Sequence, residues 1–237
     1  MCFHNALTTE AVKLENRYGA KLIPHSGFQP VYHASAFDNP AWPVITNEFP
    51  GVVQIFNWGL IPFWVKSSSQ AEDIRRMTYN ARVESMFEKK SFSVPAKTKR
   101  CLVPSTGFFE FQHMGKQKIP WFISHQKNDI FSMAGIWDVW TDPFNGKTIQ
   151  TFSIVTTEAN ELMSKIHNTK KRMPLILNKN DEAPWLEAGF DNIKNKISEN
   201  PSLKAHTVSG LINSKTKTRN VMEIQKPYIH GFDGLLF

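Results

Sequence analysis

Between residues 101 and 156, short aromatic or β-branched runs alternate with segments that favour turns. Residues 114–116 (MGK) and 143–146 (PFNG) are such turn segments, and each contains a glycine. Strands are predicted at residues 101–104, 107–112, 121–125, 131–140 and 151–156. Many short strands in close succession favour a β-barrel-like core.

The flanking segments predict further strands and a few helices. Strand-like runs occur at residues 30–34, 43–46, 52–58 and 175–177. Helices are predicted at residues 9–18, 81–88, 157–165, 181–188 and 191–200. Thr8 and Thr157 are the predicted N-caps of the first and third of these helices, and Gly189 is predicted to end the helix at residues 181–188. Residues 66–78 are polar and are predicted to form a loop. No linker or repeat divides the chain, so we expect a single α+β domain over residues 1–237.

Composition narrows the class of protein. The chain is 41% hydrophobic, enough for a substantial core, but has no run of roughly eighteen apolar residues that would cross a membrane. Its N-terminus lacks the basic start and apolar stretch of a secretory signal. Two cysteines, Cys2 and Cys101, are too few for a disulfide framework or a Cys-rich zinc site. We expect a cytoplasmic protein with reduced thiols that needs no metal, cofactor or membrane.

The formal net charge of +7 favours a polyanionic partner. Three groups of basic residues account for much of it: Lys89, Lys90, Lys97, Lys99 and Arg100; Lys165, Lys170, Lys171 and Arg172; and Lys215, Lys217 and Arg219. Solubilising surface charge explains such groups equally well, so charge alone makes a nucleic acid plausible without establishing it.

Cys2 directly follows the initiator methionine. A small side chain at this position normally allows the methionine to be removed, which would leave cysteine as the first residue. An N-terminal cysteine carries an α-amine of pKa about 8 and a thiol of pKa about 8.5, two carbons apart. The amine can form an imine with an aldehyde, and the thiolate can close on that imine to give a five-membered thiazolidine ring. Taken alone, a cysteine at this position is more often an accident of sequence.

Several segments in fixed order carry a family resemblance. They are Cys2, residues 58–64 (WGLIPFW), 80–84 (NARVE), 100–104 (RCLVP) with 107–110 (GFFE), 156–160 (TTEAN), and His167 followed by 172–174 (RMP). Together they resemble the SRAP family, the SOS-response-associated peptidases, over nearly the whole chain. Members of that family crosslink to abasic sites in single-stranded DNA, so the resemblance implies this function and the SRAP fold.

The resemblance implies four catalytic residues, Cys2, Asn80, Glu110 and His167. Glu110 stands in an apolar strand, where desolvation would raise its pKa and suit it to proton transfer, although strand glutamates more often face solvent. By resemblance it moves protons during imine formation and opening of the deoxyribose ring. Asn80 could be a helix N-cap; the family asparagine holds the cysteine or the sugar. A lone His167 would usually be structural, whereas the family histidine assists the sugar hydroxyl or the imine.

The resemblance also implies DNA contacts by Trp64, Arg82, Arg172 and His4. The tryptophan would stack on a base beside the lesion, at roughly 1–3 kcal/mol per base, and both arginines would contact phosphate. Where the family usually begins Cys-Gly-Arg, this chain has Phe3 and His4, so His4 would replace part of that contact, more weakly at neutral pH. Residues 168–171 separate His167 from Arg172, where the family usually has one residue. We therefore expect DNA affinity to differ from that of relatives while the chemistry survives.

Three functions remain open on the sequence. The first is a monomeric abasic-site sensor that forms a thiazolidine crosslink with single-stranded DNA and associates with the nucleoid when bound. The second is a thiol peptidase or self-processing enzyme, which needs a Cys–His pair such as Cys2 and His167. The third is a non-covalent single-stranded DNA-binding module, in which Cys2 would be dispensable.

Overall fold

The computed structural model describes residues 2–24, 26–187 and 201–231. Its helices are α1 (Ala11–Tyr18), α2 (Ser68–Arg75), α3 (Ser93–Thr98), α4 (Glu161–Ile166) and α5 (Lys179–Glu187). Its strands are β1 (His4–Leu7), β2 (Lys21–Leu22), β3 (Val31–Ser35), β4 (Ala41–Thr46), β5 (Val52–Trp58), β6 (Asn80–Arg82), β7 (Arg100–Ser105), β8 (Gly107–Met114), β9 (Gln117–His125), β10 (Phe131–Thr141), β11 (Thr148–Glu158), β12 (Arg172–Pro174), β13 (Ile176–Leu177) and β14 (Leu203–Thr207). Within this part of the chain, no helix has the length and apolar character needed to cross a membrane.

Five strands of the larger sheet close into a barrel. Strands β5, β4, β7, β10 and β11 pair in that order through antiparallel neighbours. The ring closes because β11 also pairs with β5, in parallel, with Phe152 opposite Trp58. Their indole and phenyl rings stack inside the fold, and both side chains are fully buried. The predicted α+β fold with a barrel-like mixed sheet is therefore confirmed.

A second sheet covers the barrel and carries the N-terminus. Its order is β14, β9, β8, β1 and β3, and every neighbouring pair is antiparallel. Side chains alternate along a strand, so Phe108 faces the barrel core while Phe109 packs in a smaller cluster on the opposite face. The start of β1 lies between β8 and β3, and Cys2 is part of the barrel-side core. The second sheet therefore brings the N-terminus to the edge of the main core.

Two segments adopt a local structure other than the predicted one. Residues 66–78 are not a loop, since they contain α2, whose N-cap Ser67 accepts a hydrogen bond from the Gln70 amide at 3.2 Å. Ala71 is buried and Ile74 packs partly buried against the same apolar cluster, so two apolar side chains and a cap anchor this largely polar helix. Residues 81–88 are not a helix, because β6 pairs in parallel with β11 and the chain then turns.

The predicted N-caps are also corrected. Thr8 does not cap α1, whose N-cap is Glu10, and its hydroxyl instead meets that of Thr106 at 3.1 Å. Thr157 is part of β11, and Asn160 caps α4 by accepting a hydrogen bond from the Met163 amide at 2.9 Å. The predicted helix at residues 191–200 and its neighbour Gly189 lie outside the described residues.

One buried cation connects two helix ends. The Arg100 guanidinium is 5% exposed and donates to the Ala96 and Lys97 carbonyls, at 3.4 and 2.8 Å, in the last turn of α3. It also donates to the Trp185 and Leu186 carbonyls, at 2.6 and 3.3 Å, in the last turn of α5. Carbonyls towards the C-terminal end of a helix carry partial negative charge, so a single guanidinium holds α3 and α5 together.

Asp138 ties the barrel to the segment that carries Trp64. It is 1% exposed, accepts from the Lys99 ammonium at 2.7 Å, and its other oxygen accepts from the Phe63 amide at 2.9 Å. We expect Asp138→Ala to lower the free energy of unfolding by about 3 kcal/mol, because it leaves the lysine and the amide without their acceptor. Urea denaturation measures the change. The exposed Asp129→Ala is the matched control, expected to change stability by less than about 0.5 kcal/mol; equal effects of the two variants would contradict the role of Asp138.

Candidate active site

Cys2 and Asn80 are in direct contact. The Asn80 Nδ2 donates to the backbone oxygen of Cys2 at 2.9 Å, although the two residues are far apart in sequence. This contact follows from pairing of β6 with β11, where Asn80 lies opposite Ile154. Asn80 is therefore a strand residue rather than the N-cap considered above. Its Oδ1 is buried and has no hydrogen-bond partner within the described residues, so it can accept a hydrogen bond from a ligand.

Glu110 lies on β8 with its side chain on the barrel face of the second sheet. It stands opposite Trp121 of β9 and is 5% exposed. Burial raises the pKa of its carboxyl group to about 7, against the smaller opposing effects of the positive N-terminal amine and of a hydrogen bond from the Phe111 amide. Near neutral pH the group therefore populates both the acid and the carboxylate, which suits it to move protons in either direction.

The Cys2 thiol lies fully buried beside this carboxyl group. Burial raises the thiol pKa far above its ordinary value, and the negative charge of Glu110 adds to the effect. The Sγ is 3.7 Å from the His4 carbonyl oxygen, to which it donates. At neutral pH the thiol is therefore protonated, and it needs a nearby base before it can act as a nucleophile.

His167 ends α4 and is buried at the edge of the same region. Its Nδ1 lies 2.8 Å from the Arg172 carbonyl oxygen and 3.2 Å from the Arg172 amide. We assign the proton to Nδ1 because the shorter contact is to an oxygen that can only accept, which leaves Nε2 as an acceptor. Burial lowers the pKa of the ring, so it is neutral near pH 7.

Residues 168–171 do not separate His167 from Arg172 in space. They form a turn, in which Lys171 has a positive φ of 48°, and the histidine ring spans the turn to the Arg172 backbone. The Asn168 side chain fixes this turn to β8, since it accepts from the His113 amide at 3.0 Å and donates to the His113 carbonyl at 2.8 Å. The longer spacing is therefore accommodated as an anchored turn.

The two arginines predicted to contact DNA have different surroundings. Arg172 is 8% exposed and forms a bidentate ion pair with Glu84, at 2.6 and 2.9 Å, and it also donates to the Thr156 carbonyl at 2.7 Å. Arg82 is exposed on β6, two residues after Asn80. Arg82 can meet a phosphate directly, whereas Arg172 already has a carboxylate partner. Phosphate contact by either residue stays a prediction.

Trp64 is half-buried beside a small apolar cluster that includes Ile61, Val65 and Trp140. The Lys90 ammonium lies 4.3 Å from the centre of its ring. A cation over the ring face gives an aromatic surface with positive charge next to it, a combination that suits single-stranded nucleic acid. Base stacking by Trp64 also stays a prediction.

His4 is paired with a second histidine. Its Nδ1 is 3.0 Å from the His33 Nε2, and the two rings stack with centres 5.1 Å apart. Burial, followed by the positive charge of Arg219, lowers the pKa of His4 to about 4. Burial also lowers the pKa of His33, to about 3, with smaller contributions from His4 and Arg219. Both rings are neutral at pH 7, so His4 offers a phosphate no fixed charge.

An aromatic cluster beside Cys2 was not predicted from the sequence. The Phe3 ring stacks on Phe37 with centres 5.0 Å apart, and Tyr79 meets both rings edge-on. Phe37 is 58% exposed, an unusual position for a large apolar ring so close to a buried thiol. The only indication of this aromatic cluster in the sequence is Phe3, at a position where the family usually has glycine. Within the described residues, no group of three or more His, Cys, Asp or Glu side chains could hold a metal ion.

The chain is similar to several known proteins. Residues 1–215 match the family model described as SOS response associated peptidase (SRAP). The abasic site processing protein YoqW of Bacillus subtilis is 32% identical over 200 residues, which cover 82% of this chain and 85% of that protein. The abasic site processing protein HMCES of Gallus gallus is 33% identical over 189 residues, covering 69% of this chain and 54% of that protein.

Solved structures show the same fold. A crystal structure of a protein from Bacteroides thetaiotaomicron matches with a TM-score of 0.88 at 41% identity, covering 96% of this chain and 100% of that one. A crystal structure of a protein from Bordetella bronchiseptica matches with a TM-score of 0.76 at 20% identity, covering 88% of this chain and 100% of that one, and shares the fold. Because the family model covers most of the chain and the ordered motifs agree with it, this chain belongs to the SRAP family.

Proposed function

We propose that this protein recognises abasic sites in single-stranded DNA and captures them covalently through Cys2 once Met1 has been removed. The observation that carries the proposal is the buried grouping of Cys2, Asn80 and Glu110, in which the asparagine holds the cysteine backbone and the carboxyl group acts on its thiol. The names of the relatives, abasic site processing proteins, support the same substrate.

The proposed reaction has three balanced steps. The free α-amine of Cys2 adds to the aldehyde of the ring-opened deoxyribose and gives a carbinolamine. The protonated Glu110 donates to the carbinolamine hydroxyl, water leaves, and an iminium ion and the Glu110 carboxylate remain. The carboxylate then takes the thiol proton, and the sulfur adds to the iminium carbon to close the thiazolidine ring. Glu110 returns to its acid form, which its pKa of about 7 permits.

The surrounding groups have positioning roles in this scheme. The Asn80 Nδ2 fixes the Cys2 carbonyl, and the buried Oδ1 is available to the α-amine or to a sugar hydroxyl. His167, with Nε2 as an acceptor, would assist a sugar hydroxyl. Trp64 and Arg82 would hold the strand on either side of the lesion by stacking and phosphate contact. We further propose that residues 1–237 act as a single domain and as a monomer in the cytoplasm.

The thiol pKa favours capture over peptidase activity. A thiol peptidase works through a thiolate, and its site lowers the cysteine pKa with a paired histidine or another positive group. Burial and then the acidic Glu110 raise the pKa of Cys2, and together they outweigh the lowering effect of the positive N-terminal amine. The proposed reaction is compatible with a protonated thiol because the amine attacks first and the carboxylate removes the thiol proton later.

Intact mass under denaturing conditions tests the proposal. Purified protein is incubated with a single-stranded oligonucleotide that carries one abasic site. We expect a chain that lacks Met1 to gain the mass of the oligonucleotide minus one water. Two controls are an undamaged strand and a strand whose abasic aldehyde has been reduced to an alcohol, and neither should add mass. A chain that lacks Met1 and gains nothing from the abasic strand would overturn the proposal and favour non-covalent binding.

A further inference from the structure

A basic segment near the C-terminus, residues 215–219 (KTKTR), is held against the second sheet. The next residue, Asn220, accepts through Oδ1 from the Tyr32 and His33 amides, at 2.7 and 3.2 Å. These amides belong to β3, which is the outer strand of the sheet among the residues that the structure describes. The Gln225 side chain adds a hydrogen bond to the Tyr32 carbonyl at 2.8 Å. The side chains of Asn220 and Gln225, which follow the basic segment in the chain, therefore hold this region against the backbone of β3.

Arg219 lies close to the residues that precede β1. Its guanidinium is 3.2 Å from the Asp38 carboxylate, at the end of the 3₁₀ turn Ala36–Asp38. The first amide of that turn, of Ala36, donates to the Phe3 carbonyl at 2.8 Å, and Phe3 directly follows Cys2. A cavity of about 360 Å³ lies here, and its lining includes His33, Asp38, Arg219 and Asn220. Through Asp38 and the turn Ala36–Asp38, Arg219 is thus linked to Phe3, the residue that follows Cys2.

The charges of this segment are available to a ligand. Lys215 and Lys217 are exposed. The ion pair between Arg219 and Asp38 is solvent-exposed, since the two side chains are 32% and 63% exposed. Such a pair contributes little free energy, so Arg219 can exchange Asp38 for a phosphate at little cost in free energy. By contrast, the His4–His33 pair is neutral at pH 7. Arg219 therefore supplies fixed positive charge near His4 and His33, and the exposed Lys215 and Lys217 precede it closely in the chain.

We propose that residues 215–219 bind the sugar–phosphate backbone of single-stranded DNA beside Cys2, with Arg219 supplying the fixed charge that His4 lacks. The inference rests on the proposed function, because it names a further part of the same binding surface. It assigns a DNA contact to a segment remote in sequence from the other candidate residues. Backbone contacts of this kind carry affinity without base specificity.

Salt-dependent binding of an undamaged single-stranded oligonucleotide tests the proposal. The triple variant Lys215→Gln, Lys217→Gln, Arg219→Gln is compared with wild type in a series of NaCl concentrations. Three lost phosphate contacts should reduce the slope of log affinity against log salt by about 2, and weaken binding at low salt by about tenfold or more. The matched control, Lys116→Gln, Lys118→Gln, Lys147→Gln, removes equal charge from exposed hairpin positions and should keep the wild-type slope.

The single variants separate charge from structure. Arg219→Gln should lower the slope, and Arg219→Lys should restore most of it, because a phosphate contact needs positive charge at that position. An unchanged melting temperature of all variants shows that the fold is intact. An unchanged slope in the triple variant, or an equal decrease in the control, would overturn this inference even if wild type forms the crosslink. A reduced slope in a protein that forms no crosslink would sustain this inference and overturn the covalent function.

Discussion

Replacing Cys2 by alanine is expected to abolish the stable crosslink to an abasic strand. The alanine variant keeps a free α-amine after removal of Met1, so it can still form an imine, but it has no sulfur to close the ring. Loss of covalent product should be complete in the intact-mass measurement under denaturing conditions. Non-covalent affinity for single-stranded DNA should stay within about twofold, because the thiol is buried and contributes no charge.

A trapping experiment and a control variant test whether the loss is specific to the Cys2 thiol. Reduction with cyanoborohydride during incubation should trap the imine of Cys2→Ala as a stable amine, which shows that the variant still meets the aldehyde. The matched control is Cys101→Ala, which removes the other buried thiol, in β7, and should crosslink like wild type. Stable crosslinking by Cys2→Ala without reductant would exclude a thiazolidine and indicate attachment through another group.

Glu110→Gln is expected to slow crosslinking by about a hundredfold or more, the range that a positioned acid–base group contributes. The glutamine keeps the size and hydrogen-bonding capacity of the side chain but cannot exchange a proton. Wild-type rates should change around pH 7, where the Glu110 carboxyl group titrates, and this inflection should be absent from the variant. Single-turnover rates across a series of pH values measure both effects. Glu158→Gln, at the exposed end of β11, should retain the wild-type rate and profile.

Stability gives an independent readout for the same variant. The folded-state pKa of Glu110 is raised from 4.5 to about 7, so the folded protein favours the uncharged form. The protonated Glu110 carboxyl group makes its full contribution to the free energy of unfolding below the unfolded-state pKa. That contribution is lost as the pH rises through about 7, where the buried group ionises. Glu110→Gln should therefore melt at a higher temperature than wild type at pH 8, and the difference should shrink at pH 5. A slower reaction together with a lower melting temperature at pH 8 would point to damaged folding instead.

The strands with strong aromatic and β-branched content could be predicted from the sequence. Residues 52–58 coincide with β5, and all five strands predicted between residues 101 and 156 are present, each within a few residues of its predicted bounds. Strands β1 and β6 were missed. Each is only three or four residues long and gains its hydrogen bonds from strands distant in sequence, so local pattern carries little signal for them.

The candidate site residues were predicted from the family resemblance, and the structure adds the contacts that some of them make. Asn80 has the local sequence of a helix start, yet pairing with β11 turns its side chain to the Cys2 backbone. The spacing between His167 and Arg172 suggested separation, whereas an anchored turn keeps them in contact. Nothing near His4 in sequence indicates either His33 or Arg219, because both arrive through tertiary packing of β3 and the C-terminal segment.

The position of Arg100 between two helix ends has a consequence for how the protein opens. Helices α3 and α5 are separated by about eighty residues in sequence, yet their last turns share one guanidinium. Fraying of either helix would leave that nearly buried cation with half of its acceptors. The two helices should therefore lose their amide protection in a single cooperative event, and hydrogen exchange should report one opening free energy for both.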